Sequence, residues 1–207
     1  MEFKPAKHYH IFNQGNNRKR LFENNPEDYL IFLRLMRKHL LPHMEIVAYC
    51  LMPNHFHMMI KTDERCLFKK RIGMIEMNPI SQGLQRLLSG YSRVVNKRNG
   101  DSGSLFRQRS QAKILDEDEV LLTSGKLWQK RYLNCFLYIH NNPLKANLVN
   151  DLSLWPYSSY LEYAGLRKGT LVNRDLAIEI GVFEPEVFAS KCIEFIPELS
   201  FESFNEL

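Results

Sequence analysis

Two pairs of residues in this 207-residue chain have types and spacings that could do chemistry. The first is His55 and His57, one residue apart inside the apolar run LMPNHFHMMI, residues 51–60. On a strand, residues i and i+2 share a face, so the two imidazoles project together while Phe56 and Met58 point away. Two imidazoles on a rigid strand make half of a metal site. A pair of histidines hydrogen-bonded at a sheet edge fits the same residues. The second pair is Tyr138 and Asn142 in FLYIHNNPLKANLV, residues 136–149. Four residues apart, they lie on one face of a helix. Pro143 is expected to push Asn142 to the helix end, where its amide can reach across a cleft. Taken singly, Tyr138 also reads as a core aromatic and Asn142 as a C-terminal cap. His8-Tyr9-His10 repeats the HxH spacing, but near the frayed chain start rather than between apolar residues, and is read as holding no site.

The elements that must position these groups follow from periodicity and punctuation. His8 to Gln14 reads as a first strand, closed by Gly15 and the polar GNNRKR stretch. Asn25-Pro26 opens a helix to about Leu41, with an Asn cap, Pro at the first helical position and acids in the first turn. Met44 to Met52 and His55 to Lys61 are two strands separated by a Pro53-Asn54 turn, hence an antiparallel hairpin. Residues 63–77 read as an irregular basic loop. Asn78-Pro79 repeats the helix start, with Ile80, Leu84, Leu87, Leu88, Tyr91, Val94 and Val95 inward as far as Lys97. A fourth strand is expected over Arg109 to Leu115, a third helix over Lys126 to Asn142, and short helices over Leu176 to Ile180 and Pro185 to Phe195. Strand, helix, strand, strand, helix, strand is the ferredoxin-like (RRM-like) βαββαβ plan. It predicts an α+β fold with an antiparallel sheet, followed by an added C-terminal helix carrying Tyr138. Helices then cover one face of the sheet and the other is free for a ligand. The plan alone does not select a function.

Composition narrows the class. At 44% hydrophobic and 25% charged, the chain is ordinary for a globular protein. It has no apolar run of the ~20 residues that a membrane helix needs. Its N-terminus MEFKPAKHYH has no signal-peptide core, so a cytoplasmic location is expected and no membrane partner. The cysteines at 50, 66, 135 and 192 are scattered and read as free thiols. The net charge of +5 is uneven: residues 184–207 hold six Glu and one Lys, so residues 1–183 carry +10. Basic clusters at Arg18-Lys19-Arg20, Lys69-Lys70-Arg71, Lys97-Arg98, Arg107/Arg109 and Lys126/Lys130/Arg131 favour a polyanionic partner, nucleic acid being the usual one.

In the order YHIFNQGNNRKRLF, LMPNHFHMMI, GSLFRQRSQAKIL and YIHNNPLKANLV, the chain resembles the HUH single-tyrosine transposases, particularly the REP-associated tyrosine transposases. The resemblance runs from about His8 to Tyr163, through WPYSSYLEYAG, and more weakly into IEIGVFEPEVFASKCIEFI. It implies a transposase catalytic domain at residues 1–150 and a partly helical C-terminal extension with an acidic tail at 151–207. It also implies His55 and His57 as metal ligands, Asn142 as a third ligand through its amide oxygen, and Tyr138 as nucleophile. Family members cut single-stranded DNA beside a hairpin, leaving a 5′-phosphotyrosine and a free 3′-OH, and rejoin strands by reversal. The implied partner is therefore single-stranded DNA with a hairpin, REP-like or at an insertion-sequence end, within a bacterial nucleoid. The active unit is a monomer or a homodimer.

The residue types suit that chemistry. A Tyr hydroxyl of ordinary pKa ~10 attacks a phosphodiester poorly by itself, and a divalent ion polarises a phosphate oxygen. Two His and one amide leave open positions and suit Mg²⁺ or Mn²⁺ better than closed tetrahedral zinc. Arg18, Lys19 and Arg20 are candidates for a hairpin's phosphates, and Lys97, Arg98, Arg107 and Arg109 for the single strand. Tyr9, Phe12 and Phe106 are candidates for stacking on bases. The alternatives are a non-cleaving hairpin DNA- or RNA-binding protein on the same scaffold and a small-molecule metalloenzyme. The last lacks an acidic ligand and leaves the +10 body without a role.

Overall fold

The structure, a computed structural model, describes residues 1–22, 25–116 and 127–195. The expected Lys126 start of the third helix and the acidic tail beyond Phe195 therefore lie outside the described residues.

The chain is a mixed α/β protein built on a four-stranded antiparallel sheet. Its strands are β1 (His8–Gln14), β2 (Glu45–Met52), β3 (His55–Lys61) and β6 (Gln111–Ile114), in the order β2–β3–β1–β6. Helices α1 (Pro26–His39) and α2 (Pro79–Asn99) start where the Asn-Pro pairs predict. Asn25 Oδ1 accepts from the Glu27 amide at 3.0 Å, and Asn78 Oδ1 from that of Ser81 at 2.8 Å. Each cap satisfies an otherwise orphaned N–H while Pro, which has none to lose, occupies the first turn. Gly83 lets the two helices touch, because a Cβ there would lie 2.3 Å from the His39 carbonyl oxygen.

Period-two alternation sorts the strand side chains into two cores. Tyr9 and Ile11 of β1, with Phe56, Met58 and Ile60 of β3, face α1 and α2 and pack with Phe32, Met36, Leu84, Leu87 and Tyr91. The expected inward residues of α2 hold except Val94, which is 43% exposed. On the other face Val47, Ala48, Cys50 and Met59 meet α3 (Leu127–Lys145) through Tyr132, Cys135, Phe136 and Ile139. Short helices α4 (Tyr160–Tyr163), α5 (Arg174–Glu179) and α6 (Phe188–Glu194) close this second core. The face predicted to lie open is thus largely covered, because α3 has an apolar side that needs burial. Residues 155–159 run along β2: Leu51 N–H donates to the Tyr157 carbonyl at 2.9 Å and Ser159 N–H to that of Tyr49 at 3.0 Å. They satisfy the outer edge of β2, which would otherwise present unpaired backbone groups.

Two local expectations are corrected. The stretch 70–77 is not a loop but a hairpin, β4 (Lys70–Ile72) with β5 (Ile75–Met77), turned at Gly73, whose φ is +61°. Three-residue strands are too short for alternation to reveal them. Helix α3 does not end at Asn142 but continues through Pro143 to Lys145. Proline in the last turn removes only its own N–H from the ladder, while the Ala146 N–H still reaches the Asn142 carbonyl at 2.9 Å. Among the described residues no helix is long and apolar enough to cross a membrane, and all four cysteines are free and buried.

Candidate functional site

A cleft of about 510 Å³ opens where β1, the β2–β3 turn and α3 meet. Gln14, Arg18, Met52, Asn54, His55, His57, Tyr138, Asn142, Lys145 and Ala146 line it. The four residues singled out in the sequence, 55 and 57 on β3 and 138 and 142 on α3, are therefore gathered around one space within a single chain.

Sheet register explains the histidine side of the cleft. His55 lies between Met52 of β2 and Gln14 of β1, and His57 between Cys50 and Phe12. The two imidazoles sit with ring centroids 4.9 Å apart at 81°. His55 Nδ1 donates to Asn54 Oδ1 at 2.7 Å. The amide oxygen only accepts, so the proton resides on Nδ1 and His55 Nε2 carries a lone pair. His57 Nδ1 is 2.9 Å from Nε2 of His10, while its own Nε2 is buried without a hydrogen-bond partner among the described residues. Burial pushes His55 down to about 4. It pushes His57 well below its ordinary value, with the neighbouring His55 and His10 adding to the effect. His10 falls to about 3, from burial first and the charge of Lys113 second. All three rings are thus neutral near pH 7, the form that can donate to a cation.

Helix α3 supplies the other wall. Asn142 Nδ2 donates to the Tyr138 carbonyl at 2.8 Å, which ties the two one turn apart. The Tyr138 ring meets His57 edge-on, with centroids 5.3 Å apart at 84°. Burial raises the Tyr138 phenol well above its ordinary range, against a smaller opposing pull from a hydrogen bond with Asn142. As it stands, the hydroxyl is protonated and needs a partner that favours the phenolate before it can act as a nucleophile.

Arg18 enters the cleft from the 3-10 turn Asn16–Arg18 after β1. Asn17 and Arg18 both have positive φ, 54° and 58°. The left-handed region is costly for arginine, and such conformations gather where a side chain must be aimed. The turn is fastened by the Asn16 amide to the Leu105 carbonyl at 2.9 Å and by Asn16 Nδ2 to that of Ser104 at 2.7 Å. Gly15 is required beneath it, since a Cβ there would fall 2.2 Å from the Lys19 carbonyl oxygen.

The remaining basic candidates are not gathered here. Lys19, Arg20 and Lys97 are exposed away from the cleft's lining. Arg98 is committed elsewhere: its guanidinium makes a two-pronged contact, 2.5 and 2.9 Å, with the fully buried Asp28 carboxylate. Arg107 and Arg109 line a separate groove of about 1100 Å³ between α2 and the segment leading into β6, together with Arg93. Tyr9, Phe12 and Phe106 are 4%, 1% and 2% exposed, so these rings are core and unavailable for stacking on bases.

Sequence reasoning missed His10, Gln14 and Lys145. The sequence places His10 in the first strand but gives it no role in a site; it is fully buried there and bonded to His57. Gln14 is 6% exposed, and its Oε1 is buried without a partner among the described residues. The usable signal was alternation: His8, His10, Phe12 and Gln14 share the face of β1 that adjoins His57. Among the described residues no group of three or more His, Cys, Asp or Glu is arranged to hold a metal ion. Two imidazoles would need amide oxygens, Asn142 or Gln14, to complete a donor set.

No protein-family model matches this chain, and no curated protein matches it. Among solved structures, a REP-associated tyrosine transposase bound to a REP hairpin is similar with a TM-score of 0.53. The match covers 84% of this chain and 91% of that one at 17% sequence identity, a likeness of fold.

Proposed function

We propose that this protein is a metal-dependent single-stranded DNA endonuclease and strand transferase, a transposase-type enzyme, that acts beside DNA hairpins through a 5′-phosphotyrosine on Tyr138. The observation that carries the reading is the shared cleft: two neutral imidazoles from β3 face a tyrosine and an amide from α3. The fold supports it, since the transposase of like fold is bound to a REP hairpin. We read the sheet as ferredoxin-like, because β2–β3–β1–β6 is the order that two split βαβ units generate.

The residues fit a divalent cation. Among the described residues His57 Nε2 and Gln14 Oε1 are buried polar atoms without a protein partner, and a bound ion or water is one way such atoms are satisfied. His55, His57 and Asn142 would hold Mg²⁺ or Mn²⁺, which when bound adds positive charge beside a non-bridging phosphate oxygen and the scissile bond. The rest of the chemistry belongs to the chain. The Tyr138 oxygen attacks phosphorus, forming the tyrosyl–phosphate bond as the P–O3′ bond breaks with its electron pair. The phenolic proton ends on the departing 3′ oxygen. Asn142, one helical turn away, favours the anionic form of the phenol against the larger effect of burial, and Arg18 offers a fork-shaped partner to a phosphate in the cleft. The Tyr–O–P link conserves the diester's energy, so reversal by an incoming 3′-OH needs no nucleotide cofactor. The Arg93, Arg107 and Arg109 groove has no carboxylate among its described lining residues and suits a hairpin's phosphates.

The test is a cleavage gel with Mn²⁺ and single-stranded oligonucleotides bearing hairpins. Wild-type protein is expected to nick and become covalently attached, and Tyr138→Phe to bind but form no adduct. Hairpin binding by the wild type without any adduct would replace this reading with that of a non-cleaving binding protein.

A further inference from the structure

We propose that His10 is the positioning residue for His57: it holds Nδ1 of that ring so that Nε2 presents its lone pair to the cleft. The inference rests on the proposed function, in which His57 Nε2 is a metal donor. His10 itself is expected to touch neither ion nor DNA.

The geometry is that of an outer partner to a ligating histidine. His10 Nε2 and His57 Nδ1 are 2.9 Å apart, and the rings stack with centroids 5.0 Å apart at 24°. They come from neighbouring strands, and the register that sets Phe12 opposite His57 and His10 opposite Met59 brings the two imidazoles together on one face. Both are buried, at 0% and 1% exposure, so water does not compete for the bond. Phe12 and Tyr138 flank the His57 ring at 5.8 and 5.3 Å between centroids, and flipping it would forfeit the hydrogen bond.

Counting protons assigns the roles. A neutral imidazole carries one proton. If His10 Nε2 supplied the shared hydrogen, His57 would carry its own proton on Nε2 and have nothing to give a cation. With the hydrogen on His57 Nδ1, donated to His10 Nε2, the His57 Nε2 lone pair is free in the cleft. His55 displays the same arrangement, its Nδ1 bonded to Asn54 Oδ1, an atom that only accepts. Each site histidine therefore has its Nδ1 engaged by a neighbour, Asn54 for one and His10 for the other. Ligating histidines are typically braced in this way, and loss of the brace weakens metal affinity by ~10–100-fold.

The experiment is calorimetric titration of Mn²⁺ into full-length wild type, His57→Ala, His10→Phe and His10→Gln, with thermal unfolding recorded for each. Phenylalanine fills the ring's space without an acceptor, whereas the Gln side-chain oxygen reaches roughly the position of His Nε2 and accepts. His10→Met, a flexible apolar filler, takes the place of His10→Phe if that variant does not fold. The expected result is binding lost in His57→Ala, weakened ~10–100-fold in His10→Phe, and restored to within a few-fold of wild type in His10→Gln. A folded His10→Phe or His10→Met that binds Mn²⁺ like wild type, or a His10→Gln as weak as His10→Phe, overturns the role of His10. A wild type that binds no Mn²⁺, or a His57→Ala that binds as well as wild type, overturns the metal reading itself and this inference with it.

Discussion

Arg98 looks in the sequence like a DNA contact and in the structure like a brace, and replacing it separates the two. Its guanidinium contacts Asp28 at 2.5 and 2.9 Å across the α1–α2 packing. The Asp28 side chain is 0% exposed, whereas that of Arg98 is 38% exposed. Arg98→Ala strands the carboxylate in the interior, and breaking a buried pair this way costs ~3–5 kcal/mol. Two features favour the lower end. Arg98 is partly in water, and Asp28 lies in the first turn of α1, where the helix dipole stabilises a negative charge. We therefore expect a loss of about 3 kcal/mol. For a chain of this size that corresponds to a Tm lower by ~6–12 °C. The assay is denaturant and thermal unfolding of a double-mutant cycle in which Asp28→Asn combined with Arg98→Met recovers most of the loss. Oligonucleotide binding, measured against salt, is expected to keep the wild-type slope in Arg98→Ala and to fall by ~1 in Arg18→Ala. An Arg98→Ala protein that melts like wild type but binds DNA more weakly would refute the assignment.

Two further outcomes follow from packing and burial. His140, fully buried with Nε2 at 2.7 Å from Ser159 Oγ, is pushed down to about 3 by burial. Between that value and the ordinary ~6.5 the unfolded chain binds the extra proton, so stability falls as pH falls through this window and the effect saturates below it. His140 should contribute a loss of about 2 kcal/mol between pH 8 and pH 5, and His140→Gln should remove it, as read by urea midpoints at the two pH values. Gly83→Ala would ordinarily stabilise a helix by ~1 kcal/mol. Here the added Cβ meets the His39 carbonyl oxygen at 2.3 Å, so the expected result is a lower Tm from forced separation of α1 and α2.

How much was legible in the sequence depended on the range of the interaction. The bounds of β3 and the Asn-Pro starts of α1 and α2 were readable because alternation and capping are local. The Tyr138–Asn142 pairing was readable for the same reason, being one helical turn. What escaped depends on partners distant in the chain. The Asp28–Arg98 pair spans 70 residues and the His10–His57 bond 47, so Arg98 reads as a free cation and His10 as a strand residue without a site. Tyr9, Phe12 and Phe106 looked available for bases because composition does not say which face of a strand is covered. The cleft itself required β1, the β2–β3 turn and α3 together, and no single segment announces it.

The most direct measurement is peptide mass spectrometry of the protein after reaction with a hairpin-bearing single-stranded oligonucleotide and Mn²⁺, followed by nuclease trimming. The account predicts a phosphonucleotide mass on the peptide containing Tyr138, absent from Tyr138→Phe and from His57→Ala. A covalent mass on a different residue, or cleavage of the oligonucleotide with no covalent mass on Tyr138, would contradict it.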